Sequence, residues 1–394
     1  MSGALRSDED VNGYIGRVCF KTGPPQRVGV ELEWIVADVT RPARRVPVEL
    51  LRAALADPLP GGSALTFEPG GQLELSSPPG AGLAACLAPM VRDLAHVEAA
   101  LCPLGLVLVP SAVDPYRPPE RQVRTDRYDA MESYFDARGH LGRIMMCSTA
   151  AVQVNLDAGA DPADIARRWR LLHAVGPTMV AAFANSPVRA GRVTGWKSTR
   201  QAVWQRLDPP RTGPPVTGDP VATWAGYALD APVLAVPDRP FRADPGFTFR
   251  EWLGGADRPP TGEDLAFHLT TLFPPVRPRG WLEVRYLDAL PAQWWPVPVA
   301  VLTALTADPE SCAAAVAATA PVRTSWLAAA RYGLAHPDLA LAALGCFDAA
   351  LDALLRSGDD TDLVASYLDR YVSRGRCPAD DVIDAELNAA GEPV

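Results

Sequence analysis

GVELEW, residues 29–34, sets two glutamates two positions apart inside an apolar run. Side chains alternate between the faces of a strand, so Glu31 and Glu33 share one face while Leu32 and Trp34 take the other. Neither glutamate has a Lys or Arg inside the stretch. Like charges held side by side repel, so the pair needs a neutralising partner from elsewhere in the chain.

The same pattern recurs three times. FEPGGQLELSS (67–77) carries Glu68, Gln72 and Glu74 at even positions, with Pro69-Gly70-Gly71 set to turn or bulge the chain near Glu68. CSTAAVQVNLD (147–157) alternates Gln153, Asn155 and Asp157 with Val152, Val154 and Leu156. GWLEVRYLD (280–288) alternates Glu283 and Arg285 with Leu282, Val284 and Tyr286. Each segment has an apolar face and a face of Glu, Gln, Asn or Arg. Strand-like runs are read at 28–38, 65–76, 105–113, 148–157 and 281–286. Helical stretches are read at 47–56, 81–102, 162–184 and through most of 296–390. The Pro-, Gly- and Asp-rich segment 205–245 reads as a long irregular connection that covers a site. Strands precede a helical last third without regular alternation, which predicts an α+β fold with a largely antiparallel sheet. The helical region from about 296 is expected to pack on the same sheet, giving one large domain over 1–394.

Composition narrows the function. The chain has 394 residues, 48% hydrophobic and 21% charged, with a net charge of −9. That balance argues against a nucleic-acid binder. No run of about 18 apolar residues suggests a membrane span, and the polar, acidic N-terminus does not read as a signal peptide. Seven scattered cysteines without a Cys-x-x-Cys pair suit a reducing cytoplasm. Phosphate-loop, dinucleotide-turn, nucleophile-elbow and H-E-x-x-H signatures are missing. Nothing in the sequence speaks to oligomeric state.

Only two lysines, Lys21 and Lys197, occur in the whole chain, and neither falls in the four polar strands. Arg285 alone cannot balance five glutamates, so the crowded carboxylates call for a divalent cation. Oxygen-only donors favour Mg²⁺, Mn²⁺ or Ca²⁺ over zinc. A second cluster lies in WKSTRQAVWQRLDPPR (196–211), where Lys197, Arg200, Arg206 and Arg211 surround Trp196, Trp204 and Asp208. Such a set can clamp a carboxylate with a guanidinium fork. Cys147 is read as a small buried apolar residue and not a nucleophile.

In this order GVELEW, EPGGQLELS, MCSTAAVQVNLD and WLEVRYLD resemble the glutamate–cysteine ligases of the carboxylate–amine ligase group. The Arg-rich composition and length look most like the actinobacterial form of the ergothioneine pathway. The resemblance implies a curved, mostly antiparallel six-stranded sheet shaped as a funnel, the glutamine synthetase/guanidino kinase-like catalytic fold, with ATP and Mg²⁺ at its floor. It makes Glu31, Glu33, Glu68, Glu74, Gln153 and Glu283 ligands of two or three Mg²⁺ ions, replaceable by Mn²⁺, with Glu33 also counted as catalytic. Arg285 is implied to meet the γ-phosphate, with Arg279 as a further nucleotide contact. Arg200 would clamp the glutamate α-carboxylate, with Trp204, Asp208, Asn155 and Gln72 around the substrate. The segment 124–135 resembles a substrate-facing loop, and Trp34 departs from the Lys common in plant members. The implied reaction joins the glutamate γ-carboxylate to the amine of cysteine through γ-glutamyl phosphate. Its rivals are a metal-dependent phosphohydrolase, a ligase with another acceptor amine, and a Ca²⁺-stabilised binding module.

Overall fold

The run that contains GVELEW forms the longest strand, β1 (Arg27–Asp38), in this computed structural model, which describes residues 3–391 except 24–25, 216–217, 238–241 and 256–257. Val28, Val30, Leu32 and Trp34 on one face are each at most 3% exposed. The other strands are β2 (Ala64–Phe67), β3 (Leu73–Ser76), β4 (Gly80–Ala81), β5 (Leu106–Val109), β6 (Ala151–Asp157), β7 (Val188–Arg189), β8 (Arg192–Val193), β9 (Ala235–Val236), β10 (Arg242–Ala243), β11 (Val276–Pro278) and β12 (Trp281–Asp288). The main sheet runs β11-β12-β6-β1-β3-β2, with every pairing antiparallel. The expected six strands thus make its hydrogen-bonded path. Two short additions, β4 and β5, pair with the start and the end of β1. Hairpins β7–β8 and β9–β10 stand apart from it.

Register sets the polar face. Glu33 pairs with Glu74, Glu31 with both Ser76 and Gln153, and Glu283 with both Asn155 and Arg277. Because the side-chain period is two, a one-residue slip anywhere would turn these rows into the core. The opposite face packs on the helices Leu83–Leu101, Gly176–Ala182 and Pro296–Ala307, with Pro337–Ser357 stacked behind them, in one continuous apolar cluster from Leu5 to Val372. Each fully buried aliphatic side chain stabilises the fold by about 1.5–3 kcal/mol, so this face anchors the sheet and leaves the other face free to be polar.

Four expectations need correction. The segment 205–245 is not irregular throughout, since the helix Pro220–Asp230 starts where Asp219 caps Ala222 N at 2.9 Å and Pro220 fills the first turn. That helix packs on Asp8–Val18, and no described residue of 205–245 lines the main cavity. The helix expected over 162–184 breaks at Val175 into Pro162–Ala174 and Gly176–Ala182, with Pro177 opening the second piece. The strand expected over 105–113 stops at Val109, before Pro110. The run read from 148 begins at Ala151, because Leu141–Ser148 is a helix.

Candidate active site

The polar face of the sheet floors a cavity of about 700 Å³. Glu31 and Glu33 reach it from β1, Glu74 from β3 and Gln153 from β6. Glu68 comes from the β2–β3 turn, where Gly71 N donates to Glu68 O at 2.8 Å. Gly71 takes a φ of +85°, and a Cβ on Gly70 would lie 2.2 Å from Cys147 O, so the turn requires the glycine pair. One oxygen each of Glu33, Glu68 and Glu74 lie within 4.8 Å of one another.

Burial and mutual repulsion act together on these acids. Burial, then Glu283 and Glu74, push Glu31 up to about 7, against Asn155 and Arg285. Burial, then Glu74, pushes Glu68 up to about 7. Burial, then Glu68 and Glu74, hold Glu33 well above the carboxylate range. Gln153 Nε2 donates to Glu33 Oε1 at 2.7 Å, and its Oε1 accepts from Arg285 Nη1 at 2.5 Å, so it links the acids to the arginine. A cluster of oxygens with too little positive charge around it fits a hard divalent cation.

Glu283 is different. It is 0% exposed and its carboxylate accepts from Arg277 Nε (2.6 Å), Arg277 Nη2 (3.1 Å), Arg279 Nη1 (3.0 Å) and Arg285 Nη1 (3.1 Å). Burial would raise it, but Arg277, Arg285 and Arg279 outweigh burial and hold it far below the usual range. Both oxygens are taken, so this arrangement does not offer Glu283 as a metal ligand. Arg277 and Arg279 line the cavity with Arg285, and β11, which carries Arg277, was missed in the sequence. The alternation of two arginines in VRPRG is the signal that marks it as a strand.

Of the basic segment, Arg200 and Trp204 reach the cavity. Arg200 is 3% exposed, and its Nη2 donates to Arg285 O at 2.8 Å. Its Nε and Nη1 have no hydrogen-bond partner, although Nη1 lies 3.9 Å from Asp288. Trp204 Nε1 is likewise without a partner. A buried guanidinium with idle donors suits an incoming carboxylate. Asp208 falls outside the cavity lining and accepts from Tyr134 Oη (2.8 Å) and Arg211 Nε (3.0 Å), a structural pair. Lys197 pairs with Asp380. Gln72 lines the cavity, yet its amide donates to Met146 O and Thr149 O and accepts from Gly70 N, so it ties the turn to its neighbours. Asn155 bridges Glu31 and Trp281 with both amide atoms engaged (3.0 and 2.9 Å). Arg127 and Tyr128, from the segment 124–135, add to the lining beside Thr270. Cys147 is 6% exposed and burial pushes its thiol up to about 12, as a packing residue requires.

Known proteins share this chain's sequence and architecture. The family model described as glutamate-cysteine ligase family 2 (GCS2) matches residues 27–393. The glutamate–cysteine ligase EgtA of Mycolicibacterium smegmatis is 46% identical over 393 residues, 96% of this chain and 91% of its own. The chloroplastic glutamate–cysteine ligase of Arabidopsis thaliana is 32% identical over 323 residues, 73% of this chain and 62% of its own. The crystal structure of the Francisella tularensis glutamate–cysteine ligase in complex with AMP shares the fold, with a TM-score of 0.57 at 12% identity over 93% of this chain and 86% of that one. The chain belongs to glutamate–cysteine ligase family 2.

Proposed function

We propose that this protein condenses glutamate with cysteine, driven by cleavage of ATP to ADP and phosphate, in a single catalytic domain. The observation that carries the reading is the cavity floor. Glu33, Glu68 and Glu74 gather there, and Arg200 waits with idle donors among the lining residues. The family and its 46% identical relatives, named glutamate–cysteine ligases, supply the reaction class.

In this reading the γ-carboxylate of glutamate attacks the γ-phosphorus of ATP, giving γ-glutamyl phosphate and ADP. The cysteine amine then attacks the acyl carbon and releases phosphate. Glu33, Glu68 and Glu74, with Glu31 and Gln153 adjacent, would hold Mg²⁺, which supplies charge neutralisation for the triphosphate. Arg200 grips the α-carboxylate and thereby aims the γ-carboxylate across the floor. Arg285, already turned toward Gln153 and Glu283, sits where charge develops on the transferring phosphoryl group. Arg279, 44% exposed at its side chain, suits an outer nucleotide phosphate. Trp204 packs edge-on to Phe273 at 5.9 Å and walls the Arg200 side.

The resemblance to the actinobacterial form supports reading the product as a precursor in ergothioneine biosynthesis. Seven free cysteines support a cytoplasmic setting, and no single helix among the described residues is long and apolar enough to cross a membrane. The deciding assay incubates the protein with ATP, Mg²⁺, glutamate and a panel of amino acids. ADP release is expected to depend on glutamate and cysteine together, with a product mass of γ-glutamylcysteine. ATP cleavage indifferent to amino acids would instead identify a phosphohydrolase, and faster release with another amine would reassign the acceptor.

A further inference from the structure

A second cavity, of about 250 Å³, lies behind the helix Thr199–Leu207. That helix sends Arg200 and Trp204 into the main cavity, while Val203 and Arg206 line the second. The helix Leu141–Ser148 divides its side chains the same way, with Met145 and Met146 toward the main cavity and Leu141 and Ile144 toward the second. These two helices are a partition between separate sites.

The second cavity is cationic. The β7–β8 hairpin sets Arg189 directly opposite Arg192, a like-charge pair that costs stability when nothing neutralises it. The tight turn between them places Ala190 at φ +50° and Gly191 at +69°, which keeps the two strands short and the pair together. Arg206 faces them from the partition helix, its guanidinium 4.6 Å from the Trp196 ring centroid, and His140 completes the set. No Asp or Glu lines this cavity, and none of the three arginines has an ion-pair partner among the described residues, in a chain of net charge −9. Beneath the charges lies an apolar floor of Ile144 and Val203, with Trp196 at the side.

We propose that this cavity binds a small organic anion that carries at least two carboxylate or phosphate groups on an apolar body. One oxyanion would bridge Arg189 and Arg192, whose forks match carboxylate and phosphate geometry. Arg206 takes the second oxyanion, and the body rests on the apolar floor and the edge of Trp196. Binding relieves the repulsion of three unpaired guanidinium groups. The site is distinct from the cavity of the ligation reaction.

Calorimetric titration of the full chain with phthalate, hydroquinone bisphosphate and inorganic phosphate tests this, the first two distinguishing a carboxylate from a phosphate ligand. At least one of the two aromatic anions is expected to bind with a Kd below about 1 mM, more tightly than inorganic phosphate. The R189A/R206A double variant should weaken that binding by about tenfold or more, and Arg200→Ala should leave it within about twofold. Arg192→Glu, on an exposed side chain, should abolish it while the thermal melt does not fall, since the substitution turns a like-charge pair into an opposite-charge one. Unchanged affinity in both the double variant and Arg192→Glu would overturn the proposal. So would a tenfold loss on Arg200→Ala, which would move the probe to the main cavity, or no binding of either aromatic anion at several millimolar.

Discussion

Two carboxylate groups on the same sheet face meet opposite electrostatic fates. Glu33, Glu68 and Glu74 converge with no guanidinium bonded directly to any of them among the described residues. Glu283, two strands from β1 across β6, is gripped by Arg277, Arg279 and Arg285. Both environments are partly or wholly buried, so desolvation penalises charge in each. What separates them is the count of nearby cations. Where arginines are supplied, Glu283 ionises far below its ordinary value, and where they are withheld, Glu33 and Glu68 are pushed above theirs. A complete ion cluster is structural, whereas an incomplete one is an invitation to a metal.

The largest effect that can break this comparison comes from removing the hub of the complete cluster. Glu283→Ala would leave Arg277 and Arg285 buried and mutually repelling, and loss of one partner in a buried pair costs about 3–5 kcal/mol. Urea unfolding should show that drop, and a loss under about 1 kcal/mol would mean that water already screens the arginines. Next comes Arg200→Ala. The glutamate KM should rise roughly thirtyfold or more, corresponding to about 2 kcal/mol for a lost charged hydrogen bond, while the ATP KM moves little. A glutamate KM within about twofold of wild type removes Arg200 from the clamp.

The pH dependence sharpens the contrast, because the two groups have opposite signs. Glu31 and Glu68 stay protonated in the folded state up to about 7, against an ordinary value of 4.5. Between those values the folded state binds more protons than the unfolded state, so metal-free stability falls as pH rises through the window. Glu283 is depressed, so its contribution is present above the ordinary value of 4.5 and is lost as pH falls below it. Melts with EDTA should therefore decline from about pH 4.5 to 7. Mg²⁺ at a hundredfold its Kd should restore about 2.7 kcal/mol at pH 8 by binding the folded state. Melts that rise steadily through the window without metal would contradict the raised values.

The smallest effect is the most discriminating. Glu33→Gln keeps the shape of the cluster and deletes one repelling charge. Without metal at pH 8 the variant should melt no lower than wild type, yet gain less from Mg²⁺ and lose most ligase turnover. Wild-type turnover with an unchanged Mg²⁺ response would reduce Glu31 and Glu33 to a solvated strand face.

Much of this architecture was legible in one dimension. Strand periodicity in 28–38 and 281–286 is strong because one face is buried under helices, Leu83–Leu101 against the first and Gly176–Ala182 against the second, and burial forces alternation. The helix Pro220–Asp230 was hidden by composition, since Pro and Asp mark loops on average but caps and first turns at helix starts. The resemblance sets Gln72 and Asp208 around the substrate, whereas the structure ties them to Met146, Thr149 and Tyr134, partners 74 to 77 positions away that no local pattern reveals.

By itself the sequence determined which residues are acidic, which face of each strand they take, and that they outnumber the local cations. Side-chain alternation and charge are properties of short segments, so they need no partner to be read. Only the tertiary structure decided which carboxylates meet each other and which meet arginine. That choice depends on strand order, on the β2–β3 turn that swings Glu68 over the sheet, and on β11, which delivers Arg277 to Glu283 and not to Glu33. Coulomb interactions between buried groups act over a few ångströms, and that distance is set by the fold.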